Sequence, residues 1–129
     1  MSDTHLHLMI DAKFKSTPVV SDIPKIEDWC DRLVKKLNME VFFPSVVKYD
    51  STIGNEGISL IGMLTTSHFS AHFFNHNKKM KFDCYSCKPY EIETCIKLIE
   101  EFNPTELTWM FVDRSDDKFE IKATGKKYY

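Results

Sequence analysis

Glycine is scarce in this chain. Four glycines among 129 residues leave no Gly-rich loop to cradle a phosphate, and Gly54 and Gly57 do not match one. Long apolar runs are missing as well. No stretch reaches the roughly eighteen apolar residues that a membrane span requires. Met1-Ser2-Asp3-Thr4 has no apolar run behind a basic start, so no signal peptide is expected. Only four cysteines occur (Cys30, Cys84, Cys87, Cys95), and free thiols in a cytoplasmic protein are expected. Neither charge sign dominates: 17 basic and 19 acidic residues give a net charge of −2. That excludes the basic field of a nucleic-acid-binding protein. Lys78-Lys79 and Lys81 read as a solvated hairpin flank.

What is present fits one domain over residues 1–129 with one sizeable core. His5–Ala12 reads as a strand and Lys13–Val20 as a loop. Ser21 or Asp22 can cap a helix with Pro24 in its first turn. Ile26, Trp29, Cys30, Leu33, Val34 and Leu37 supply its apolar stripe, and Asn38 its stop. Val41–Tyr49 is β-rich, although Pro44 pushes its start to an edge. Asp50–Gly57 is a loop. Ile58–Thr65, Phe69–Phe74 and Met80–Cys87 read as a meander, with Asn75–Asn77 as one turn. Pro89 opens a second helix with a stripe at Ile92, Cys95, Ile96, Ile99 and Phe102, ended by Asn103-Pro104. Leu107–Val112 and Lys118–Ala123 form a last hairpin. The fold class expected is α+β: a two-layer sandwich with an antiparallel sheet and two helices packed on one face.

The meander carries the chemistry. Ser67 lies at the junction of two strands, His72 follows five residues later, and Cys87 closes the third strand. A serine hydroxyl needs a base and a constrained backbone before it acts as a nucleophile. Residues 68, 70, 72 and 74 share one strand face, from which His72 could turn back toward a strand end bearing Ser67. Singly, each residue has a plainer reading: a turn serine, a hydrogen-bonded sheet histidine, a buried thiol. His68, His72 and His76 would bind zinc on a helix, but their aromatic, strand-like context argues for no metal. Cys84-x-x-Cys87 lies in a strand, where residues three apart face opposite sides, so a redox pair is not expected. Cys87 is placed beside Ser67, and Cys84 toward a helix.

Ser59, then Ser67-His68, then His72, then Asp83-x-x-x-Cys87 resembles the short prokaryotic-type S-adenosylmethionine decarboxylases. In that family a Glu-Ser-His sequence precedes a second His, and a strand ends Asp-x-Phe-Thr-Cys-Gly. The corresponding strand here is Asp83-Cys84-Tyr85-Ser86-Cys87-Lys88. The resemblance extends to His7-Leu8 and both helices. It implies the same architecture, a homodimer, and a proenzyme cut between Thr66 and Ser67 into a β chain, 1–66, and an α chain, 67–129. Ser67 becomes a pyruvoyl group that forms a Schiff base with a substrate amine, in polyamine (spermidine) synthesis. Ser59 and His72 assist processing, and Cys87 is the general acid. His7, Phe74 and His76 fall at substrate-binding positions.

Three positions depart from the family pattern. Thr66 stands where the family has Glu. Ile53 stands where an aromatic stacks on adenine, and His76 stands where an acid holds the ribose. The Ser-His-Cys half of the site matches better than the adenosyl half. Two further readings follow from that split: decarboxylation of another amine such as a basic amino acid, or a non-processing relative with a binding or regulatory role.

Overall fold

The computed structural model describes residues 3–129; Met1 and Ser2, part of the start read above as lacking a leader, lie outside them. Among the described residues, seven antiparallel strands form one sheet, β1 (Leu6–Phe14), β2 (Val46–Asp50), β3 (Gly57–Leu64), β4 (Ser67–Phe74), β5 (Lys79–Ser86), β6 (Pro104–Asp113) and β7 (Glu120–Tyr128). Their order across the sheet is β2-β3-β4-β5-β1-β6-β7. Two helices, α1 (Ile23–Lys36) and α2 (Ile92–Glu100), cover one face. The expected α+β sandwich is the fold.

Alternation builds the covered face. Leu8, Ile10, Ala12 and Phe14 of β1 are buried, as are Phe69, Ala71 and Phe73 of β4 and Met80, Phe82 and Cys84 of β5. Ile26, Trp29, Cys30, Leu33 and Val34 form the inward stripe of α1, and Cys95, Ile96, Leu98 and Ile99 that of α2. Trp29 meets Phe82 edge-on at 6.3 Å, and its indole N–H donates to the Leu98 carbonyl at 2.8 Å. That bond satisfies the one polar atom this large side chain brings into the core. Gly62 of β3 pairs with Phe69, and a Cβ there would lie 2.2 Å from the Phe69 ring. The glycine leaves the space that the Phe69 ring occupies.

Several boundaries differ from those expected. β1 continues through Phe14, because the alternation of buried residues extends two positions past Ala12. Asp22 holds the N-cap position of α1 as expected, but its side chain makes no cap hydrogen bond; its carboxylate instead accepts the Val19 N–H at 2.8 Å, across a short 3-10 turn. α2 starts at Ile92, not Pro89. β7 extends to Tyr128 on pairing with β6 alone. Asn38 and Asn103 adopt φ 55° and 57° just past the helices, the left-handed stop that asparagine tolerates.

The second sheet face is bare. Ser59, Ile61 and Met63 of β3 point there, with His68, His72 and Phe74 of β4, and Asp83 and Tyr85 of β5. Ile61, Met63 and Met110 are exposed. Among the described residues, no helix is long and apolar enough to cross a membrane.

Candidate active site

The hairpin between β3 and β4 has a two-residue turn, Thr65-Thr66, since Leu64 pairs with Ser67. Such turns usually place Gly, Asn or Asp where φ is positive. Here Thr66 holds φ 58°. A β-branched residue in that region is a true outlier and carries strain of order 1–3 kcal/mol. The strained residue is the one whose carbonyl begins the Thr66–Ser67 peptide.

Side chains converge on this turn. The Thr66 hydroxyl donates to the Thr65 carbonyl at 2.6 Å and lies 2.6 Å from Cys87 Sγ. The Cys87 N–H donates to Ser67 Oγ at 3.2 Å, and the Ser67 hydroxyl approaches Cys87 Sγ at 3.8 Å. Cys87 sits one residue past β5, which frees its backbone N–H for Ser67. The Thr66 hydroxyl, first among several contacts, pulls the Cys87 thiol below its ordinary pKa; partial burial opposes this, and Ser67 and Lys88 add to it. The two thiols of the Cys-x-x-Cys pair part as strand geometry requires. Cys84 is fully buried on the covered face, and Cys87 is half-buried at the turn.

Ser59 and His72 form a second group. Ser59 Oγ lies 2.7 Å from His72 Nδ1, on registered positions of β3 and β4. Phe74 packs 6.4 Å from the His72 ring, and His76 meets Phe74 edge-on at 6.4 Å. Ile53 is 94% exposed on its loop.

The sequence reading let His72 turn back to Ser67. Within one chain the structure keeps them apart. Because β4 begins at Ser67 itself, five residues of strand separate the two by about 16 Å. An odd spacing also sends their side chains to opposite faces: Ser67 is buried and His72 exposed. Ser67 and Cys87 come together, as do Ser59 and His72, but not all four.

Sequence reasoning missed a third group beside the turn. His5 Nδ1 bonds the Tyr85 hydroxyl, His68 lies 5.4 Å from the Tyr85 ring, and the Arg114 guanidinium sits between Tyr85 and Phe119. His7 Nε2 contacts Asp83 Oδ1 at 3.1 Å. Tyr85 stands two residues before Cys87, on the bare face. That two-residue step was the available signal. No cluster of three His, Cys, Asp or Glu side chains suited to a metal occurs among the described residues. A cavity of about 670 Å³ lined by Thr17, Trp29, Arg32, Glu101 and Phe102 touches none of these groups.

A strained peptide, a hydroxyl and a thiol meet at one hairpin turn of this α+β protein. Residues 6–115 match the S-adenosylmethionine decarboxylase family. The chain belongs to that family, and the membership carries an S-adenosylmethionine decarboxylase-like function. No curated protein matches the chain.

Proposed function

We propose that the chain is a proenzyme that cleaves itself between Thr66 and Ser67 and then decarboxylates S-adenosylmethionine for spermidine synthesis. The left-handed Thr66 at the head of the Ser67 peptide, with Cys87 against both residues, carries this reading. Ser67 Oγ attacks the Thr66 carbonyl carbon, the C–N bond breaks, and the freed nitrogen takes up the hydroxyl proton to become an amine, leaving an ester. Removal of the Ser67 α-proton expels the Thr66 carboxylate and leaves a carbon–carbon double bond. Water then releases ammonia, and residue 67 heads the new chain as a pyruvoyl group.

The residues at the turn fit that group. The Cys87 N–H that now donates to Ser67 Oγ is a donor that a carbonyl oxygen can also use. Bound there, the group supplies an electron sink for the carbon left by CO2. Cys87 Sγ returns the proton to that carbon as general acid. A thiol at an exposed strand end reaches a substrate on the bare face, as the buried Cys84 does not.

His72 is the base for the α-proton, but it lies about 16 Å along the strand from Ser67. A second copy resolves the distance. Ser70 lies roughly midway on β4, and a two-fold axis at its level, between two facing sheets, reverses the strand. The Ser59–His72 pair of one copy then meets the Thr66–Ser67–Cys87 turn of the other. Exposed Ile61, Met63 and Met110 on the same face favour burial against a like surface. The working form in this reading is a homodimer with two shared sites.

A second substrate reading rests on Ile53 and His76. Ile53 is almost fully exposed and His76 is not an acid, so adenosine recognition falls chiefly to Phe74. The test measures CO2 released from carboxyl-labelled S-adenosylmethionine, ornithine and arginine. Release from S-adenosylmethionine is expected. Release from a basic amino acid alone would move the substrate assignment. No release from any, with the chain uncut, would leave a binding or regulatory role and overturn the proposal.

A further inference from the structure

We propose that the Thr66 hydroxyl is a rotor that sets the protonation state of Cys87, so that Thr66 is a positioning residue for the thiol as well as the residue before the cut. The hydroxyl has one hydrogen and two neighbours that can accept it, the Thr65 carbonyl at 2.6 Å and Cys87 Sγ at 2.6 Å. With a neutral thiol, S–H donates to Thr66 Oγ1 while the hydroxyl donates to the carbonyl. When the thiol loses its proton, the hydroxyl turns to the sulfur and donates to the thiolate. Either state is then satisfied with no movement beyond one bond rotation. Hydrogen bonding to the charged form favours that form, and Ser67 Oγ adds a longer contact to the same sulfur. The left-handed backbone of Thr66 matters here, because it fixes the side chain at the turn beside the first residue after β5.

The thiol's surroundings make it separable from the other three. Cys30, Cys84 and Cys95 are fully buried. Burial pushes the Cys30 thiol up to about 12. Contact with Cys84 and burial push Cys95 up as well. Alkylation of the folded chain therefore reports on Cys87.

The experiment uses full-length Ser67→Ala chains, which stay uncut whatever the decarboxylase reading predicts, so a failure here is distinct from a failure there. Only the use of the thiol to return a proton to substrate rests on that reading. Thr66→Val keeps the β-branch and removes the hydroxyl. Thr66→Ser keeps the hydroxyl and removes the branch. The pH profile of iodoacetamide modification at Cys87, located by peptide mapping, is compared across the three chains. Thr66→Val is expected to move the profile to higher pH by about one unit, with roughly tenfold slower modification near neutrality, since reactivity follows the thiolate fraction. Thr66→Ser should keep the parent profile. Should Thr66→Val fail to fold by thermal melting, Thr66→Ala takes its place with the same expected shift. A profile unmoved by loss of the hydroxyl, or moved equally by Thr66→Ser, overturns the proposal.

Discussion

Replacing Cys87 by alanine is expected to leave cleavage at Thr66–Ser67 largely intact and to lower decarboxylation by roughly two to four orders of magnitude, the usual worth of a positioned general acid. The separation follows from the roles in the proposed mechanism. Attack of Ser67 Oγ on the preceding carbonyl needs the strained peptide and a base. The thiol enters only once a substrate carbon must be reprotonated. Protonation on the cofactor side should then compete, and substrate-dependent inactivation should rise. Cys84→Ala provides the contrast. Cys84 is fully buried on the covered face, so its loss should cost stability of about 1 kcal/mol and leave both reactions alone. Turnover and intact mass, measured in parallel, check both variants. Native turnover by Cys87→Ala, or an exchange of the two effects, removes Cys87 from the mechanism.

Mixing two inactive chains is expected to restore cleavage. His72→Ala and Ser67→Ala should each remain uncut alone. In the proposed dimer, the Ser67 of a His72→Ala chain faces the His72 of its Ser67→Ala partner. That site has every group it needs. Co-refolding should therefore yield fragments from the His72→Ala chain and none from the other, distinguishable by mass. The expectation rests on the opposed faces of Ser67 and His72 and on the strand length between them. If His72→Ala cleaves at the native rate alone, or if the mixture stays uncut despite forming dimers, the shared-site arrangement fails.

Much of the fold was legible because burial follows simple periods. Leu8, Ile10 and Ala12 alternate as a half-buried strand should, and Ile26, Trp29, Cys30 and Leu33 repeat as a helix face should. The β3–β4 turn was harder to read. Thr65-Thr66 contains no glycine or asparagine to mark a two-residue hairpin, so the sequence pattern carries the first strand through Thr65 and starts the next at Phe69. That shift hid the key fact about Ser67. Once the strand starts at Ser67, a five-residue step to His72 means opposite faces, and the two cannot share a site within one chain. β7 was underestimated for another reason. It is held by its ladder with β6, and most of its side chains are exposed, so no alternation announced its length. His5, Tyr85 and Arg114 gather only through strand pairing across β1, β5 and β6, which no local pattern encodes.

In the proposed function, Thr66–Ser67 is a peptide built to break. Denaturing mass spectrometry of the purified protein, after long incubation, tests it most directly. Two fragments are expected, residues 1–66 and 67–129, with the second blocked to amino-terminal sequencing, and a Ser67→Ala variant should stay whole. A single unbroken 15.1 kDa species from the native sequence would contradict it.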